Sequence, residues 1–191
     1  MQYQRDILTP EKSKYMKSNS MPIVIKHFTL RPFRKSDLPS VVKHISDKTI
    51  AARTDAPIPY PYTMKHAEEW YRKIRNRARR KGLKAREFAI DINGEAVGCI
   101  AIFPKGHTAG IGYWLGRAYW NKGIMTEAVT EITKYGFNEL GLRRVHASTF
   151  PQSKASMRVL EKAGFKLEGI LRKNIKKGDK YIDEYLFAKV K

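Results

Sequence analysis

The sequence predicts an α+β fold, a mixed, largely antiparallel sheet with helices packed on it, and three observations carry that expectation. Three apolar runs between Glu87 and Leu115 follow one another with short breaks, and Asn93-Gly94 between the first two is the dipeptide of a tight hairpin turn. From Ile111 onward the signals alternate as β-α-β-α-β-β, the order of a sheet covered by helices. Between these regimes, over Ile111 to Met125, an apolar segment ends at Leu115, a polar loop runs through Gly123, and a helix pattern opens at Thr126, Glu127, Ala128 and Val129. Strand, glycine loop and helix in that order expose unpaired N–H groups at the positive end of a helix dipole, a ready site for a phosphate.

Taken in order, residues 1–20 read as a polar tail and residues 21–191 as one domain. A strand is expected over Ile23 to Leu30, closed by Arg31-Pro32-Phe33, and Ser36 or Asp37 can cap a helix carrying Leu38, Val41, Val42 and Ile45. The prolines of Ala56 to Tyr62 exclude a helix there, because each pushes its predecessor toward extended geometry. Thr63 caps a helix of Ala67, Trp70, Tyr71 and Ile74, which runs into a basic stretch from Arg72 to Arg86. Strands follow at Glu87 to Ile92, Ala96 to Phe103 and His107 to Leu115, then a helix from Gly123 to Leu140 and a strand at Val145 to Phe150. A helix over Lys154 to Ala163 ends at Gly164, which suits a left-handed cap, and strands at Phe165 to Leu171 and Tyr181 to Val190 complete the chain.

Hydrophobic content of 42% fits a globular domain, and no apolar run approaches the roughly 18 residues that span a bilayer. The first 20 residues lack the apolar core of a secretion signal, and the single cysteine, Cys99, forms no internal disulfide, so a cytoplasmic location is expected. A net charge of +20 favours polyanionic partners: nucleic acid, a ribonucleoprotein or a phosphorylated cofactor. The five histidines are scattered, and no metal-ligand spacing is present.

Gly112-Tyr113-Trp114-Leu115 followed by Trp120-Asn121-Lys122-Gly123-Ile124-Met125-Thr126-Glu127-Ala128 resembles the acetyl-CoA-binding core of the GNAT superfamily of N-acetyltransferases. More narrowly it resembles the RimJ/RimL-like branch, whose members acetylate ribosomal-protein N-termini. The similarity extends to Leu30-Arg31-Pro32, to Pro57 through Thr63 with Trp70, to Pro151 through Ser156 and to Leu160 through Gly169. It implies a sheet split at a V, with helices on both faces and acetyl-CoA as cosubstrate. The pyrophosphate would be held by main-chain amides of Asn121, Lys122, Gly123, Ile124, Met125 and Thr126, and the pantetheine by main-chain groups of Tyr113, Trp114 and Leu115.

Direct acyl transfer needs a neutral amine, an oxyanion donor and a proton for the departing thiolate. The resemblance assigns the oxyanion donor to a backbone N–H near Leu115 and the thiolate donor to Ser156, with Ser153 as helix cap and cofactor contact. Tyr60 and Tyr62 are expected either to line the amine's entry or to pack against the domain. Where relatives carry Gln or Arg, Gly or Ala, a strand carboxylate, and Asn, this chain has Trp120, Met125, Gly110 and Ser153. Met125 is expected to narrow the pyrophosphate's approach. Glu168, Asp183 and Glu184 are left as candidates for the base.

The expected reaction is transfer of acetyl from acetyl-CoA to a primary amine, preferably a protein N-terminal α-amine. A lysine of pKa about 10.4 costs roughly 4–5 kcal/mol to neutralise at pH 7 and an α-amine near 8 only about 1, so a site lacking a strand carboxylate suits the latter. Two alternatives stand beside it: a small-molecule amine acetyltransferase, and a non-catalytic RNA- or ribosome-binding protein on the same scaffold. The Arg72–Arg86 run would supply an RNA contact, no membrane partner is expected, and the chain would act as a monomer or homodimer.

Overall fold

Antiparallel pairing begins at the first apolar residues and accumulates into one sheet. In the computed structural model, which describes residues 22–54, 58–78 and 85–191, the strands are β1 (Ile23–Ile25), β2 (Phe28–Pro32), β3 (Arg86–Ile92), β4 (Glu95–Lys105), β5 (Thr108–Leu115), β6 (Arg144–Thr149), β7 (Lys166–Lys177) and β8 (Lys180–Val190). The helices are α1 (Leu38–Ile45), α2 (Lys48–Arg53), α3 (Met64–Ala78), α4 (Ile124–Asn138) and α5 (Lys154–Lys162). The strand order is β1-β2-β3-β4-β5-β6-β8-β7, and every pairing is antiparallel except β5 with β6.

That exception makes the split. β5 and β6 pair only over Thr108–Gly110 against Arg144–His146. Beyond Gly110 the two strands part: β5 stays with β4 up to Leu115, while β6 stays with β8 up to Thr149. The sheet is therefore a V whose apex is at Gly110 and whose mouth lies at the carboxyl ends of both strands.

Helices cover both faces. Leu115, Ile124, Val129, Ile132, Val145 and Leu160 belong to the core beneath α4 and α5. Leu38, Val41, Ile45, Ile50, Ala67 and Ile74 form a second core with Ala89 and Cys99, beneath α1–α3. Arg31 anchors the second core's edge: its guanidinium grips both oxygens of Asp37 at 2.7 and 2.8 Å and reaches Asp91 at 2.6 Å.

Several boundaries differ from the sequence expectation. The first strand is a hairpin, with Ile25 opposite Phe28 across a Lys26-His27 turn that needs no left-handed residue and so carries no glycine signal. Asp37 does occupy the position before α1, but its carboxylate accepts from Arg31 and from the Arg34 N–H rather than capping the helix. α2, capped by Asp47 accepting from the Thr49 N–H at 2.7 Å, lies in a stretch without sustained apolar period. β7 and β8 are longer than expected, because β7 bulges between Leu171 and Ile175, where Lys173 takes a φ of 52°. The expected tail, Ala56, Pro57, and Arg79 through Lys84 of the basic stretch lie outside the described residues.

Candidate active site

β5 delivers its last main-chain groups to the mouth of the split. The Gly116 N–H donates to Val97 O at 2.8 Å, which fixes the phase of the β4–β5 ladder. Antiparallel alternation then turns the main chains of Trp114 and Gly112 toward β4 and those of Tyr113 and Leu115 toward the split. Of the three residues expected along the pantetheine, Trp114 differs: it borders the cleft, but its main chain is directed at Cys99 and its ring packs against the core beneath α1–α3.

The loop after β5 is shaped by two left-handed residues, Asn121 at φ 61° and Gly123 at φ 78°. Gly123 is the N-cap of α4, and the first main-chain bond of the helix runs from the Glu127 N–H to Gly123 O at 3.1 Å. The amides of Gly123 through Thr126 precede the bonded ladder, and all four residues line the cleft. Trp120 fastens this loop: its indole N–H donates to Leu115 O at 2.7 Å, and the Arg53 guanidinium lies 5.5 Å from its ring. Met125 corrects an expectation. Its side chain is buried in the core under α4, so its bulk is accommodated inward rather than across the loop.

α5 closes the opposite wall. Ser153 precedes it, and its carbonyl accepts from the Ser156 and Met157 N–H groups at 2.9 and 3.2 Å. Its hydroxyl caps nothing, contrary to expectation: Oγ is buried and has no hydrogen-bond partner. A buried hydroxyl left unpaired costs about 1–3 kcal/mol, which a ligand atom in the cleft would recover. Ser156 Oγ lies 2.7 Å from the Tyr113 hydroxyl, so the two walls of the split touch through a pair of hydroxyls.

These parts enclose a cleft of about 340 Å3 that all eleven cofactor residues expected from sequence line. Arg53, Lys122, Arg158 and Lys162 add positive charge, and no Asp or Glu is on its wall among the described residues. Open amides, surrounding cations, two strand residues facing the split and an orphaned hydroxyl fit a ligand with a phosphorylated end and an amide-bearing arm. Ile50, Arg53 and Thr54 were missed from sequence, since α2 itself was.

Tyr60 and Tyr62 do not line the cleft. Tyr62 is packed into the core beneath α1–α3, where burial pushes its hydroxyl pKa up to about 12, and Tyr60 is exposed beside the Lys48 ammonium. The three carboxylates considered as the base are likewise engaged elsewhere. Glu168 forms a two-pronged ion pair with Arg144 that holds its pKa below the usual carboxylate range. Asp183 accepts from the Lys173 N–H in the β7 bulge, and Glu184 from Asn174 Nδ2 at 2.6 Å.

A sheet split beside an open helix start, with cations around it, is the setting of an enzyme that takes a phosphorylated cosubstrate. Residues 27–166 match the family model for the acetyltransferase (GNAT) domain, and the chain belongs to that family. It is an acetyl-CoA-dependent N-acetyltransferase. It is 31% identical over 172 residues to the uncharacterized N-acetyltransferase YnaD of Bacillus subtilis (strain 168), a match covering 88% of this chain and 96% of that one. It is 47% identical over 96 residues to the probable N-acetyltransferase YjcK of the same organism, covering 48% of this chain and 53%, about half, of that relative's length. The crystal structure of a GNAT-family acetyltransferase from Bacillus anthracis has a TM-score of 0.76 at 30% identity, covering 89% of this chain and 98% of that one. Mycobacterium smegmatis RimJ in complex with CoA-disulfide has a TM-score of 0.77, covering 85% and 81% of the two chains, and at 24% identity this is a likeness of fold.

Proposed function

We propose that this enzyme acetylates protein N-terminal α-amines, as a member of the RimJ/RimL-like branch, with ribosomal proteins as acceptors. The observation that carries the reading is the cleft's lining, rich in cations and without a carboxylate among the described residues. Such a wall offers no carboxylate to draw the proton from a lysine, which costs roughly 4–5 kcal/mol at pH 7, whereas an α-amine needs only about 1. In this reading the amides of Asn121 through Thr126 and the Lys122 ammonium hold the pyrophosphate. Tyr113 and Leu115 flank the pantetheine, with the Leu115 N–H as oxyanion donor and Ser156 as the proton donor to sulfur. The exposed Arg72, Lys73 and Arg75 of α3 are available for a ribosomal RNA contact.

A small-molecule acceptor is the second reading, favoured by 27% identity over 119 residues to the L-amino acid N-acetyltransferase AaaT of Escherichia coli (strain K12). Acetyl-CoA assays on ribosomal-protein N-terminal peptides beside free amino acids and amino compounds separate the two. Turnover confined to the free compounds would replace the first reading with the second.

A further inference from the structure

On the face beneath α1–α3, the sheet loses its side chains where it approaches the apex of the split. Cys99 and Trp114 pack into the core on this face, so Ala101, Phe103, Gly110 and Gly112, at the same strand phase, point the same way. Val145 and Ala147 belong to the opposite core, so His146 between them also points to this face. Gly110 and His146 stand opposite each other in the short parallel pairing that forms the apex.

A Cβ built at Gly110 would lie 3.6 Å from both Cε1 and Nε2 of His146, so the imidazole stands in van der Waals contact with that position and a larger side chain at 110 would press on it. A Cβ at Gly112 would lie 3.8 Å from the ring of Phe103, which walls the other side and is itself exposed. The imidazole's Nδ1 is 3.2 Å from Ala109 O. A carbonyl partner requires the N–H on that nitrogen, which in the neutral ring leaves the lone pair on Nε2, the atom beside Gly110.

We propose that His146 is the general base of the acetyl transfer, receiving the acceptor's proton at Nε2 over the strip left open by Gly110 and Gly112. The proposal rests on transfer to an amine but not on which amine. As the nitrogen bonds to the acetyl carbon, its N–H proton passes to Nε2 along water in the open strip, because Gly110 lies five residues from Leu115 on β5. The electron pair of the breaking C–S bond leaves with sulfur, which takes a proton from the Ser156–Tyr113 pair. Both sites re-equilibrate with water. Burial, then the Arg144 charge, hold the His146 pKa below its usual value, with Glu168 acting in the opposite sense. Those two are its charged neighbours among the described residues: β5 carries no titratable side chain over Thr108–Gly112, and the β8 residue opposite is Ala188. The ring is therefore in its proton-accepting form at neutral pH.

Two measurements test this. NMR of ring-labelled histidine is expected to show His146 as the Nδ1–H tautomer titrating below about 6.5, and an Nε2–H tautomer would overturn the proposal without any assay of turnover. In steady-state kinetics His146→Gln is expected to lower kcat/KM at pH 7 by about 100-fold, with acetyl-CoA binding retained. In the wild type kcat/KM should fall as pH drops through the His146 pKa, and that limb should be absent from the variant. Gly110→Val keeps the imidazole but displaces it and is expected to show the same profile. An unchanged pH profile in both variants, with whichever amine is acetylated, would overturn the assignment of His146. The identity of that amine separately decides the α-amine reading.

Discussion

The Tyr113 hydroxyl and the Ser156 hydroxyl meet at 2.7 Å across the split, joining the central strand to the first turn of α5. The sequence marks Ser156 as the expected thiolate donor but not Tyr113 as its neighbour, because only the fold brings a β5 side chain to α5. Phenols and thiols titrate within about two units of one another, so a phenol behind the serine supplies a proton that a lone serine hydroxyl gives up poorly.

Removing either hydroxyl should therefore act on kcat. Ser156→Ala is expected to lower kcat by about 100-fold and Tyr113→Phe by about 10-fold, with the acetyl-CoA KM nearly unchanged. Steady-state kinetics with acetyl-CoA varied checks this. A raised KM at constant kcat would mark the pair as a binding contact instead.

Trp120→Phe keeps a ring between the two cores but leaves Leu115 O without its indole donor. We expect a loss of about 1 kcal/mol in stability and a several-fold weaker acetyl-CoA affinity, since the bond ties the loop to the strand end. Chemical denaturation and calorimetric titration measure the two effects, and equal affinity with and without the indole N–H would detach Trp120 from the site.

At Gly123 the backbone, not crowding, excludes side chains: a Cβ there would meet only Glu127 Oε1, at 4.0 Å, but φ is +78°. Gly123→Val should cost about 1–2 kcal/mol and displace the loop amides, with Gly123→Asn milder because Asn tolerates that region. Acetyl-CoA titrations of both variants should rank glycine, then asparagine, then valine in affinity.

Arg31→Met is expected to destabilise by about 3–5 kcal/mol by leaving the buried Asp37 without its partner, measurable as a lower denaturation midpoint. Burial pushes the Asp37 carboxyl up, but bonds from Arg31 and the Arg34 amide outweigh it and set its pKa below the usual value. A depressed carboxylate stabilises above its unfolded pKa, about 3.9, and that contribution is lost as pH falls through the folded value. The wild-type protein should therefore lose stability below about pH 4 more steeply than Arg31→Met.

What was legible in the sequence followed local chemistry. Asn93-Gly94, Gly164 and the loop into α4 announce themselves because left-handed residues and alternating apolar positions leave marks on composition. α2 and the Lys26-His27 turn left none, being short and free of glycine. Met125 shows the limit of comparing residues one at a time, since its bulk is absorbed by a core that only the packed helix defines. Tyr62 shows the same limit: an aromatic in a proline-rich loop reads equally as a substrate contact or as packing, and only the fold shows that it is buried. Ser153's unpaired hydroxyl and the Gly110–His146 juxtaposition are relations between distant segments, outside any local pattern.

The most direct test of the account is mass spectrometry of a ribosomal-protein N-terminal peptide that carries a free α-amine and an internal lysine, incubated with the enzyme and acetyl-CoA. The account predicts one acetyl group on the N-terminal residue and none on the lysine. Acetyl on the lysine, or none on the peptide while free amines are consumed, would contradict it.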